Sequence, residues 1–179
     1  MIYLFLANGF EEVEAIAPLD LMRRAGLAVT TVGVGSKEIT GAHGICVQAD
    51  ISDDEYADEQ PTLVFLPGGM PGTLNLAACP TVHRAIRTAI DTDAYLCAIC
   101  AAPSILGDLG LLDGKEAICY PGFEDRLTGA RISNKRVVRD GKIITAAGMG
   151  VAVELGLCLV ELLCGKECAE SLRRATISD

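Results

Sequence analysis

The sequence predicts an α/β fold, an open and mostly parallel β-sheet covered by helices on both faces. Three observations predict it: short continuous apolar runs recur along the chain, helical periodicity fills the stretches between them, and turn signals mark the junctions. Half of the 179 residues are hydrophobic and 22% are charged. That is enough apolar surface to offset the conformational entropy lost on folding, at a length that suits one domain spanning 1–179.

Ile2 to Ala7 is an unbroken apolar run, as expected of a strand buried on both faces. Glu11 to Ala25 follows with Val13, Ile16, Ala17, Leu21 and Ala25 at helical spacing, acids in its first turn and Arg23-Arg24 before Gly26. Leu27 to Val34 is a second strand, so the chain opens with a strand, helix, strand unit. Glycines at 35, 41 and 44 break the next stretch, to Asp50, into a small hairpin excursion, and Asp53-Asp54-Glu55 marks a solvated connection. Thr62 to Leu66 is a strand ending in the turn Pro67-Gly68-Gly69-Met70-Pro71-Gly72, followed by a helix patterned on Val82, Ile86 and Ile90. Ala94 to Ile99 is the next strand, and a helix begins just after Cys100 with Pro103 in its first turn, where a missing amide hydrogen costs little. Glu116 to Tyr120 reads as a short strand, Val137 to Thr145 as a hairpin about Asp140-Gly141, and Gly148-Met149-Gly150 as the opening of a long apolar helix through Leu163.

Fifteen basic against 24 acidic residues leave a formal net charge of −9, which opposes binding to nucleic acid or to an anionic membrane surface. The most apolar late stretch, from Met149 to Gly165, is interrupted by Glu154 and Glu161, so no membrane span is expected. Met1 to Ala7 lacks a basic flank and runs into Glu11-Glu12, which reads as a strand rather than a signal peptide. Eight cysteines without an export signal point to reduced thiols and a cytoplasmic location. Their spacings do not form the paired arrangement of a zinc site, and no metal is expected. Cys164 and Cys168 stand one helical turn apart.

Active sites in open α/β sheets lie outside the carboxyl ends of the strands, which selects Asn8 to Glu14, Gly68 to Gly72, and Cys100 with its neighbours. A thiol in a sharp strand-to-helix turn is pushed out of the sheet towards amide hydrogens and a helix end, an environment expected to favour thiolate at Cys100. Glu14 approaches from the first helix, where it can hydrogen-bond the thiol as an acid or accept its proton. Gly68, Gly69 and Ala101 can direct backbone amides at the same centre. His83 lies in a helix expected to face outward, which leaves His43 as the one imidazole available for a cysteine-histidine pair. Cys97, three residues before Cys100 in the strand, is expected to point to the opposite face.

Gly9-Phe10-Glu11-Glu12-Val13-Glu14, Pro18-Leu19-Asp20, Arg23-Arg24-Ala25-Gly26, Leu66-Pro67-Gly68-Gly69, Ala98-Ile99-Cys100-Ala101, Pro103 and Asp140 to Thr145 occur in the order found in one family. In these segments the chain resembles the DJ-1/ThiJ/PfpI superfamily, and within it the DJ-1-like branch. The resemblance implies a flavodoxin-like three-layer α/β sandwich, similar to class I glutamine amidotransferases, and a homodimer. It also implies a reactive elbow cysteine at Cys100, a protonated partner at Glu14, and amides of Gly69 and Ala101 beside the sulfur. The branch is associated with oxidative-stress response through sulfinate formation, with chaperone-like action, and with cofactor-free glyoxalase or deglycase activity. The expected partner is therefore a small reactive carbonyl such as methylglyoxal, and no cofactor. Three positions depart from the pattern. Ala101 stands where the protease-like branch has histidine, which disfavours peptide hydrolysis. Tyr120-Pro121 replaces a histidine-proline pair, leaving Tyr120 to hydrogen-bond a substrate carbonyl, and Ala147 falls where DJ-1-like proteins carry arginine. His43 falls where another basic group lines the site.

Overall fold

A run of five largely apolar residues with no charged side chain has one stable home, a strand covered on both sides, and Ile2–Leu6 (β1) is buried at every position. The structure, a computed structural model, describes residues 1–57 and 60–178. After β1 come the helix Glu12–Arg24 (α1) and the strand Val29–Gly33 (β2). The predicted excursion is an antiparallel hairpin of Glu38–Thr40 (β3) and Cys46–Gln48 (β4), after which Ile51–Ser52 (β5) pairs with β2. Leu63–Leu66 (β6) is again wholly buried and leads into two helices, Gly72–Ala78 (α2) and Pro80–Asp91 (α3). Tyr95–Ile99 (β7) and the short helix Pro103–Asp108 (α4) follow, with Pro103 at the start of the helix as expected.

The predicted strand at Glu116 to Tyr120 shrinks to Glu116–Ala117 (β8), which pairs with Arg131–Ile132 (β9) outside the main sheet. Val137–Asp140 (β10) and Ile143–Ala146 (β11) form the predicted hairpin. The long apolar helix is Ala152–Cys164 (α5), entered through one tight turn at Met149–Val151. A last helix, Lys166–Thr176 (α6), packs on α5.

The main sheet has the order β10-β11-β7-β6-β1-β2-β5 and is parallel except for the β10–β11 pair. Alternation sorts its side chains into two cores. Tyr3, Phe5, Val64, Leu66, Leu96 and Ala98 face α3 and α4, while Ile2, Leu4, Leu6, Leu63, Phe65, Cys97 and Ile99 face α1 and α5. From β1 the chain winds outward to β2, and from β6 it winds the other way to β7. The carboxyl ends of β1 and β6 therefore border the topological switch point, where ligands enter folds of this kind. Helix α1 is held close over that crevice because Gly156 of α5 has no side chain. A Cβ there would stand 3.0 Å from Pro18 Cα and 2.7 Å from Leu21 Cδ1.

Candidate active site

Cys100 follows the last residue of β7 and adopts a left-handed backbone, φ 64°, which side-chain-bearing residues rarely occupy. Its N–H donates to Ala146 O at 2.9 Å, and its C=O accepts from Tyr120 N–H at 2.8 Å, so the elbow is tied to β11 on one side and to the Tyr120 loop on the other. The turn re-aims the side chain. Cys100 packs against the same core layer as Cys97 and Ile99, not the opposite face that strict alternation predicts, because the left-handed residue breaks the two-residue period.

Glu14 is fully buried on α1. Its Oε2 accepts the Gly68 N–H at 3.0 Å, and its Oε1, which has no complete hydrogen bond, lies on the side of the Cys100 thiol. Burial drives the Glu14 carboxyl up to about 7, against the pull of the thiol and the Gly68 amide. The Cys100 thiol is itself half-buried and pushed up to about 12, first by burial and then by the Glu14 charge, while the Ala101 and Gly69 amides pull it down only in part. The expected thiolate is thus not the resting form beside an ionised Glu14. The helix after the elbow has only six residues, and its end is too weak a dipole to outweigh a dry carboxylate in contact.

Gly68 makes this contact possible. A Cβ on it would lie 2.6 Å from Cys100 Cβ and 2.6 Å from Glu14 Oε2, so no larger residue fits between them. Gly148 forms another wall, with a notional Cβ 3.9 Å from Cys100 Sγ, 3.9 Å from Glu14 Oε1 and 3.3 Å from the Tyr120 ring. Its part in the site was hidden in the sequence, where Gly148 read only as a helix opener. Tyr120 stands at the mouth, half exposed. His43 belongs to a different cluster: its Nδ1 lies 2.9 Å from Glu12 Oε2 and 3.5 Å from Glu11 Oε2, and its backbone N–H donates to Glu12 Oε1 at 2.8 Å. The Glu12 hydrogen bond, with the Glu11 and Glu12 charges behind it, raises the His43 imidazole. Glu11, Glu12 and His43 are also the group, among the described residues, whose donor atoms converge closely enough to hold a cation.

A family model described as DJ-1/PfpI family matches residues 1–162. The chain belongs to the DJ-1/PfpI family. It is 40% identical over 166 residues to "Protein DJ-1 homolog B" of Arabidopsis thaliana, covering 90% of this chain but spanning only 38% of that longer protein. It is 34% identical over 177 residues to "Parkinson disease protein 7 homolog" of Danio rerio, covering 96% and 94% of the two chains. It is also 30% identical over 164 residues to "Glutathione-independent glyoxalase DJR-1.2" of Caenorhabditis elegans, covering 90% and 87%. Among solved structures, a cysteine-to-alanine mutant of a DJ-1 superfamily protein from Salmonella typhimurium superposes with TM-score 0.93 at 30% identity over 98% and 97% of the chains. Oxidized Toxoplasma gondii DJ-1 gives 0.90 at 30% over 98% and 97%. The flavodoxin-like α/β fold of this DJ-1/PfpI chain is common to both.

Proposed function

We propose that this DJ-1/PfpI protein is a cofactor-free glyoxalase or deglycase acting on methylglyoxal or related small carbonyls through Cys100. The observation that carries the reading is a partly exposed thiol, on a left-handed turn, beside a fully buried carboxyl whose charge raises it. Cys100 Sγ attacks the aldehyde carbon as its proton passes to Glu14, which hands it to the new alkoxide oxygen, giving a hemithioacetal and leaving Glu14 ionised again. Glu14 then carries a proton between the two substrate carbons, which converts the adduct to a thioester, and water releases lactate. Amides of Gly69 and Ala101 hydrogen-bond the sulfur, and Gly68 holds Glu14 in place. The similarity to the nematode glyoxalase supports the same substrate class. Lactate formation from methylglyoxal, in a buffer free of amines and thiols, tests it: the parent is expected to turn over and Cys100→Ser to lose at least ~100-fold in kcat/KM. Equal rates for the two would end the proposal.

A second reading, a stress sensor or chaperone-like protein whose Cys100 is oxidised to sulfinate without obligatory turnover, draws on the half-exposed sulfur beside Glu14 and on the likeness to an oxidized relative. Mass spectrometry after mild peroxide separates the two readings. Selective addition of two oxygens at Cys100 favours the sensor, and uniform oxidation of all eight cysteines counts against it.

For assembly we propose a homodimer closed through α1 and the hairpin. Val13, Ile16 and Ile45 are exposed and, with Ala17 and Val47, line an apolar hollow of about 530 Å³. Such a patch favours a self-complementary partner. No helix among the described residues is long and apolar enough to cross a membrane, and the free thiols suit a reducing cytoplasm.

A further inference from the structure

Cys164 and Cys168 take no part in the site at Cys100. They flank the joint between two helices: Cys164 ends α5, Gly165 bridges with φ 90° and ψ 163°, and Cys168 sits in the first turn of α6. Each helix closes separately on the glycine, whose N–H donates to Glu161 O at 3.0 Å and whose C=O accepts from Ala169 N–H at 3.3 Å. In an unbroken helix, residues four apart keep their Cβ atoms ~5–6 Å from each other, farther than the ~3.5–4.5 Å a disulfide needs. The break at Gly165 frees the pair from that spacing.

Cys168 lies near enough to Cys164 that, after burial, it helps push the Cys164 thiol up. Cys164 is exposed and Cys168 half-buried, both are free, and both line a surface hollow of about 450 Å³ with Arg24, Glu167 and Ser171. Adjacency, access and a glycine break between the helices therefore occur together at a place the proposed carbonyl chemistry leaves unused. α6 has only Ala169 fully buried, so little besides its packing on α5 fastens it to the protein.

We propose that Cys164 and Cys168 form a second thiol site, a dithiol that peroxides oxidise to an intramolecular disulfide clipping α6 to α5. One sulfur, as thiolate, attacks a peroxide oxygen; the O–O bond breaks, and the leaving oxygen departs as water or an alcohol. That sulfur has lost two electrons and is a sulfenic acid. The second thiolate attacks it, the S–S bond forms, and hydroxide leaves as water. The net change is two thiols and one peroxide giving one disulfide, one water and one water or alcohol.

The test treats the full-length protein with hydrogen peroxide, blocks remaining thiols, and digests it with trypsin without reduction. Cleavage after Lys166 separates the two cysteines, so a disulfide appears as a linked pair of peptides, with fragmentation assigning the bond to Cys164 rather than Cys158. The linked pair is expected in the parent and in Cys100→Ser, and is expected to vanish on reduction, in Cys164→Ser and in Cys168→Ser. Oxygen addition at either cysteine without linkage overturns the proposal. So does failure to link at a peroxide dose that fully consumes exposed Cys46. Because Cys100→Ser leaves the linkage intact, the result stands apart from the fate of the glyoxalase reading.

Discussion

Glu14 is where function works against stability. The unfolded chain ionises it near 4.5 and the folded protein near 7, so between those values the folded state keeps a proton that the unfolded state has lost. Stability therefore falls as pH rises through that window, by roughly 3 kcal/mol once both states are ionised. Urea denaturation should find Glu14→Gln more stable than the parent at pH 8 by about 1–3 kcal/mol, with the gap closing near pH 4. Turnover in that variant should be lost at every pH. Gly68→Ala should do the reverse of stabilising: its methyl displaces Glu14 or Cys100, lowers kcat/KM for methylglyoxal at least ~10-fold and costs about 1–3 kcal/mol of stability. Cys100 and Glu14 were legible in the sequence because Cys100 directly follows a buried strand and Glu14 lies in the first turn of the helix after another, beside the strand ends this architecture leaves open. The protonation of the pair was not, since it depends on how dry Glu14 is and on how short α4 turns out to be, neither of which spacing records. Gly148 left no mark at all, because a wall made by a missing side chain looks like any turn glycine.

At the scale of elements, the site depends on how closely α1 rests on α5. Gly156→Val should push the helices apart at Pro18 and Leu21, destabilise the protein by about 1–3 kcal/mol, and reduce turnover further than the loss of folded protein explains. Circular dichroism melts run beside the methylglyoxal assay would separate the two effects. Buried strands such as β1 and β6 were readable because continuous apolar runs leave little choice. The hairpin of β3 and β4 was readable from its glycines. Two-residue pairings such as β5 and β9 carry too few side chains to signal themselves. The stripe of α6, Cys168, Ala169 and Leu172, stands at helical spacing but is narrow and set among charged residues, and it was not read. In α3, Val82 and Ile86 face the core as predicted, while the last turn buries Ala89 and leaves Ile90 nearly half exposed.

For the whole molecule, the acidic charge and the apolar hollow on α1 act together. A net charge of −9 keeps copies apart by general repulsion, so association should concentrate on this apolar patch, where Glu12 and Asp20 are the charged residues of the lining. Ile16→Glu, which places a carboxylate inside it, should shift sedimentation from dimer to monomer, whereas an equal charge added on α3 should not. The central claim concerns two groups whose titrations are coupled. The most direct measurement is the rate of Cys100 alkylation by iodoacetamide across pH, compared between the parent and Glu14→Gln. The account predicts two rises in the parent, near 7 and near 12, and a single rise below 12 in the variant. One rise at the same pH in both proteins would contradict it.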